Sequence, residues 1–220
     1  MSTQAVEDYL KAVYELAGAD DRVGTSALAD KLGVTPASAT GMVKKLAGLG
    51  FVTHEKYQGV ALTPAGRDIA LEILRHHRLV ELYLVKKMGV PWDQVHDEAE
   101  KWEHVLSEDL EDRMDAMLGH PSFDPHGAPI PQRDGTMASR VRIPLVKIEA
   151  GTRVIVSEVS DHDSELLRYV GELGLFPGTA FDVITLAPYN GPLTVEVDGA
   201  QHVIGREAAH YIFVRPAESE

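Results

Sequence analysis

The chain has 220 residues, 44% hydrophobic and 25% charged, which suits one ordinary domain with a smaller companion and excludes a disordered polymer. No apolar run approaches the roughly 18 residues of a spanning helix, and Glu7 and Asp8 stand where a secretory leader is basic and then apolar, so a cytoplasmic protein is expected. The lack of cysteine excludes disulfides, thiolate nucleophiles and cysteine-based zinc, iron–sulfur or copper sites, and the net charge of −13 argues against nucleic acid until its distribution is read.

Residues 36–67 hold Lys44, Lys45, Lys56 and Arg67 against Glu55 alone, whereas residues 71–140 carry eight basic and fourteen acidic side chains and residues 141–220 six and twelve. A basic window inside an acidic chain suits a DNA-facing element, and the acidic, histidine-containing middle suits divalent cations. A merely solubilising surface is the alternative reading of the same charges.

Val6, Leu10, Val13 and Leu16 recur at helical spacing, so a first amphipathic helix is expected over 5–17, ended by Gly18 and Asp20–Asp21. Thr25 reads as the N-cap of a second helix that stops at Gly33. Thr35-Pro36 reads as a cap and N1 proline opening a third helix to about Leu49. FVTHEKYQGVALT alternates apolar and polar residues around Gln58-Gly59, as a hairpin does, and Pro64 opens a long helix to about Lys87. This order is that of a winged helix-turn-helix. The long helix is more apolar than one packed face requires, which points to a homodimer interface. A single acidic helix is expected from Trp92 or Val95 to Leu118, and residues 119–137, with Pro121, Pro125, Pro129 and Pro131, read as a linker with His120 and His126 solvated. Beyond it, TRVIVSEVS, LFPGTAFDVITL, LTVEVDG, QHVIG and YIFV read as short strands and DSELLRYVGEL as a helix, the pattern of a small barrel. The fold class is therefore mainly α with β. Its parts are a winged helix over 1–70, a helical dimerisation and metal-binding part over 71–140, and a barrel over 141–220.

On one continuous helix His96, Glu100, Glu103 and His104 fall on one stripe, and His77, Glu81 and Asp8 on the two other long helices are able to converge on it. Exposed polar groups on helix faces are the bland alternative. A dense carboxylate and imidazole stripe nevertheless repels itself unless a cation sits in it, and sulfur-free donors suit manganese or ferrous iron, with room for two ions per subunit.

EDYLKAVYEL, TPASATGMVKKLAGLGFVTHEKYQGVALTPAG, HHRLVELYL and VHDEAEKWEHVLSEDLEDR resemble the diphtheria-toxin-repressor and manganese-transport-regulator family of metal-dependent transcription factors. ELLRYVGELGLFPGT and REAAHYIFV resemble the SH3-like barrel of its longer members. The resemblance implies a primary site from Asp8, Glu100, Glu103 and His104 and an ancillary site from His77, Glu81 and His96. Asp163 and Glu165, with His162 behind them, are the barrel's candidates for that ancillary site, and a turn that caps the following helix is the alternative. Asp8 and Glu100 are hard donors where iron-type members place methionine and cysteine, which favours Mn2+ over Fe2+. Lys11 departs from the short manganese regulators, which carry glutamate there.

The helix at Pro36 is then the recognition helix, with Thr35, Pro36, Ser38 and Thr40 at the groove, Lys44 and Lys45 on phosphates, and Lys56 and Tyr57 in the wing. No Arg, Asn or Gln in 36–46 offers a bidentate base contact, so shape is expected to carry much of the specificity at a palindromic operator. A metal hydrolase or a metal buffer competes with this reading, but the chain has neither a Gly-rich phosphate loop nor a nucleophile elbow.

Overall fold

The computed structural model describes residues 3–17, 22–55 and 58–217. It divides into two compact units, one of Met1–His77, Glu100–Glu111 and Pro131–Thr136, the other of Arg78–Ala99, Asp112–Ile130 and Met137–Glu220.

In the first unit α1 (Gln4–Leu16), α2 (Thr25–Lys31) and α3 (Pro36–Gly48) precede a hairpin of β1 (Val52–Glu55) and β2 (Gly59–Leu62), paired antiparallel from Val52–Leu62 to Glu55–Gly59. Leu10, Val13, Leu28, Leu46 and Val60 are almost wholly buried in one core, and each such side chain contributes about 1.5–3 kcal/mol relative to exposure. Thr35 caps α3 as expected, its hydroxyl accepting from the Ser38 N–H with Pro36 at N1. Thr25 does not cap α2: Gly24 holds that place and Thr25 is already helical. The expected end of α1 at Gly18 and Asp20–Asp21 lies outside the described residues, as do Lys56 and Tyr57 of the wing.

Three helices contribute to both units: α4 (Pro64–Met88), α5 (His96–Trp102) and α6 (Glu108–Leu118). The single acidic helix expected up to Leu118 is therefore two helices. The chain leaves the first at Trp102, whose carbonyl accepts from the N–H groups of Val105 and Leu106. It restarts after Ser107, whose hydroxyl accepts from Leu110 N–H at 3.4 Å. Ser107 supplies the local alternative to helix that a short hydroxyl side chain offers. The four-residue stripe is consequently broken, and Glu103 and His104 sit in the turn between α5 and α6.

The second unit carries β3 (Ile143–Pro144), β4 (Thr152–Val159), α7 (Ser164–Glu172), β5 (Ala180–Leu186), β6 (Leu193–Val197), β7 (Ala200–Ile204), α8 (Arg206–His210) and β8 (Ile212–Pro216). Its six strands form an antiparallel sheet in the order β3-β8-β4-β5-β6-β7, around a core that includes Val156, Leu167, Leu175, Phe181, Val195 and Ile204. The mainly α fold with a C-terminal antiparallel β part is thus as expected, with β3 and α8 added.

Residues 119–130 are not a solvated linker. The Asp124 carboxylate accepts from the N–H groups of His126 and Ala128, both at 2.9 Å, closing a tight turn across which Phe123 pairs with Pro129. Gly127 has φ +92°, and a Cβ there would stand 2.2 Å from the Ser157 carbonyl oxygen, so only glycine lets this turn lie against β4. Val159 N–H donates to the His126 carbonyl at 2.9 Å. His126 is 1% exposed as a result, whereas His120 is exposed and its Nδ1 lies 2.7 Å from Asp115.

Candidate metal centre

In the first unit α1 presents Asp8 to the turn after α5. Ligand atoms of Asp8, Glu103 and His104 lie within 4.8 Å of one another. His104 Nε2 is 2.8 Å from Asp8 Oδ1 and 3.4 Å from Glu103 Oε1, yet it is buried and not aligned for a hydrogen bond with either. A nitrogen lone pair and two carboxylate oxygens facing one point fit a cation, and the absence of sulfur fits a hard one. Burial, reinforced by Glu100 and Glu103, raises the Asp8 carboxyl above its usual range against the pull of His104. On its other ring nitrogen, His104 Nδ1 lies 2.7 Å from Glu7, the outer partner that fixes a ligand imidazole.

Beside this triad lies Lys11, 6% exposed, with Nζ donating to Glu100 Oε1 at 2.7 Å and to both oxygens of Glu103 at 2.8 and 3.0 Å, and 3.1 Å from His77 Nδ1. Burial opposes its charge, but Glu103 and Glu100 outweigh that cost and the ammonium holds its proton more tightly than usual. Glu103, itself 1% exposed, is thus shared between the triad and an internal cation. Behind it, His76 directs Nδ1 at the Glu103 carbonyl oxygen (3.0 Å) and Nε2 at Glu111 Oε2 (3.3 Å), both acceptors, so the charged ring suits the pair. Burial raises the Glu111 carboxyl, but the bonds from His76 and Arg75 overcome it and bring its pKa down to about 2.

A second cluster lies wholly in the second unit and centres on Glu81 of α4, which is 0% exposed. One triad is Glu81, His96 and Asp161; another is Glu81, Asp124 and His126, all three of them buried. Glu81 Oε1 is 3.4 Å from His96 Nδ1, and its Oε2 is 3.7 Å from His126 Nδ1. Burial, with Glu81 adding, raises Asp124 to about 6, against Arg78, whose Nε is 3.6 Å away. His126 is raised to about 9, because Glu81 and Asp124 outweigh the burial that opposes its charge. Two carboxylates this deeply buried stay ionised only at a cost that a cation removes, so this cluster also fits a metal.

Within their units, then, the expected Asp8, Glu103 and His104 converge, and so do Glu81 and His96. Glu100 and His77 stand beside the first triad around Lys11. Asp163 instead caps α7, its carboxylate accepting from Glu165 and Leu166 N–H at 2.9 and 3.2 Å, and Glu165 is exposed. The sequence reading does not place Asp161 or Asp124 beside Glu81, and it takes His126 for a solvated linker residue with a further metal contact as the alternative. A local signal existed for the last two, since Asp-Pro-His-Gly is turn chemistry that draws a histidine toward its own aspartate.

In the winged helix Thr35, Pro36, Ser38, Lys44 and Lys45 are exposed. Thr35 and Ser38 hydroxyls meet at 3.0 Å, while Thr40 is half-buried and returns its hydroxyl to the Pro36 carbonyl at 2.8 Å.

Winged helix, clustered oxygen and nitrogen ligands and a small terminal β part together define a metal-dependent DNA-binding regulator. Residues 1–60 match the model "Iron dependent repressor, N-terminal DNA binding domain", residues 63–132 "Iron dependent repressor, metal binding and dimerisation domain", and residues 143–216 the FeoA domain. The iron-dependent repressor IdeR of Mycobacterium tuberculosis is 29% identical over 221 residues, covering 94% of this chain and 95% of that protein. A manganese-dependent transcriptional repressor solved with manganese is 38% identical with a TM-score of 0.88, covering 96% of this chain and all of that one. The manganese regulator SloR is 31% identical with a TM-score of 0.78, over 96% of this chain and 98% of its own. The chain belongs to the diphtheria-toxin-repressor family of metal-dependent transcriptional repressors, which bind DNA as dimers and are not enzymes. No described helix is long and apolar enough to cross a membrane.

Proposed function

We propose that the chain is a cytoplasmic, Mn2+-activated repressor of metal-homeostasis genes that binds a palindromic operator as a homodimer. Residues 1–70 read DNA, 71–140 dimerise and hold metal, and 141–220 complete the ancillary site. The observation that carries this is the sulfur-free triad of Asp8, Glu103 and His104, which joins α1 of the winged helix to the α5–α6 turn. A bound ion supplies a positive charge that holds these donors together. Asp8 anchors α1, Glu103 is steadied from behind by Lys11 and His76, and His104 is oriented by Glu7. Fixing α1 fixes α3 relative to the rest of its unit, and metal therefore favours one spacing of the two recognition helices.

Lys11 already places one positive charge among Glu100, Glu103 and His77, which supports a single ion at the primary triad. The second ion belongs to the ancillary cluster, with Glu81 as its shared ligand and His96, Asp161, Asp124 and His126 as its partners. Asp163 and Glu165 give way to Asp161 there, because the Asp163 carboxylate is committed to α7. Fe2+ is the second reading, favoured by the full-length similarity to the iron-dependent repressor. Anaerobic equilibrium dialysis against buffered Mn2+ and Fe2+ decides between them. Two Mn2+ per subunit at cell-like free Mn2+, with less loading by Fe2+ at its own cell-like free concentration, is the expected result; fuller loading by Fe2+ under those conditions overturns the manganese assignment.

A further inference from the structure

Next to the ancillary cluster, the segment Pro91–Asp93 touches both a proposed ligand and the C-terminal β part, entirely within the second unit. His126 Nε2 donates to the Trp92 carbonyl at 2.8 Å. That bond keeps the Nε2 proton on the Trp92 side, so Nδ1, which faces Glu81, is the ring nitrogen that a cation in the cluster would take. The Trp92 indole stacks on the His126 ring with centroids 5.6 Å apart and planes 27° apart. It also meets the Phe176 ring at 4.8 Å and 55°. Gly171 of α7 approaches so closely that a Cβ there would lie 3.0 Å from the indole Nε1 and 3.4 Å from Phe176 Cζ. Asp93 adds an ion pair to Arg168 of the same helix, 3.1 and 3.2 Å from its guanidinium nitrogens.

We propose that Trp92 is a positioning residue that couples the ancillary metal cluster to α7 of the C-terminal β part: ordering His126 around an ion seats the indole against Gly171 and Phe176, and seating α7 in turn favours the ion. This rests on the ancillary reading above. The indole supplies no donor to the cluster; it acts through the orientation of the His126 ring on which it stacks. Because a coupling free energy is reciprocal, metal must order α7 by the same factor by which the packing of α7 tightens metal binding. The bond from His126 Nε2 goes to the Trp92 main-chain carbonyl and survives replacement of the side chain, so changing Trp92 removes the stacked indole alone.

The test uses the full-length chain. Trp92 and Trp102 are its two tryptophans, so Trp102→Phe leaves Trp92 emission as a direct optical readout. Calorimetric titration with Mn2+ follows both binding events, and amide hydrogen exchange follows Ser164–Glu172. With the Trp92 side chain intact, Mn2+ shifts Trp92 emission and slows exchange of α7. In Trp92→Ala the ancillary event loses a few-fold in affinity and the protection of α7 disappears, while the primary event is unchanged; Trp92→Phe restores most of both. Gly171→Ala changes neither the ligands nor the indole itself but pushes on the indole from α7, so it keeps the test open if Trp92→Ala does not fold. It shifts Trp92 emission in the metal-free protein and weakens the ancillary event by a few-fold. Two Mn2+ events that respond to neither Trp92→Ala nor Gly171→Ala overturn the coupling alone, as does a Trp92→Phe variant as impaired as Trp92→Ala. A chain with intact Trp92 that shows one Mn2+ event overturns the ancillary site and the coupling with it.

Discussion

The two candidate metal clusters solve the same electrostatic problem differently. At the primary triad an internal cation is in direct contact with the ligand it steadies, Lys11 Nζ being 2.8 and 3.0 Å from the Glu103 oxygens. At the ancillary cluster Glu81 and Asp124 have wholly buried side chains, and Arg78 approaches Asp124 only to 3.6 Å. The first arrangement keeps its ligands assembled without metal and is suited to sensing. The second balances its buried carboxylates with the titratable His126 ring rather than a fixed ammonium, so a bound ion would take over that charge and add to the stability of its unit.

Several substitutions break or sharpen this contrast. The largest effect is expected for Glu103→Gln, which removes a ligand held by both Lys11 and His77: metal-dependent operator affinity should fall by about 100-fold or more, measured by anisotropy, with the fold retained by circular dichroism. Lys11→Met removes the internal cation and should cost the metal-free protein about 3 kcal/mol in chemical denaturation, with a smaller loss once Mn2+ is bound, so the gap between the two states widens. Equal losses in both states would remove the distinction between the clusters.

Glu111 gives a pH window. Its folded pKa of about 2 lies below the ordinary glutamate value of 4.5, so its stabilising contribution is fully present above the unfolded value and is lost as pH falls from about 4.5 toward 2. Glu111→Gln should flatten that acid limb of the stability curve, followed by melting temperature between pH 5 and 2. The smallest effect falls on Asp163→Ala, which removes the cap of α7 and should cost about 1 kcal/mol without altering metal stoichiometry, whereas Asp161→Ala should weaken the ancillary event. A loss of the second ion in Asp163→Ala would return that residue to the ligand set.

How legible each cluster is in the sequence follows from how each is built. The helices that carry Asp8 and Glu81 announce themselves by periodicity, and Thr35-Pro36 marks the start of α3 through local capping chemistry that needs no tertiary contact. The break between α5 and α6 is less visible, because apolar spacing continues through Val105, Leu106 and Leu110 while Val105 and Leu110 are in fact exposed. Asp124 and His126 were hidden for the opposite reason. A proline-rich stretch reads as solvated, yet its turn is folded down by Asp124 and held against β4 by Gly127, a long-range contact that spacing does not encode. Asp161 and Asp163 are two residues apart in one acidic run, and only the capping geometry of α7 separates their roles.

The most direct test of the account is the anisotropy of a labelled promoter duplex titrated anaerobically with the purified chain, with Mn2+, with Fe2+ and with chelator. Tight binding that requires metal, reached with Mn2+ and abolished by Asp8→Ala, is the predicted result. Operator binding of equal strength in chelator would contradict it, since the triad linking α1 to the α5–α6 turn would then control nothing.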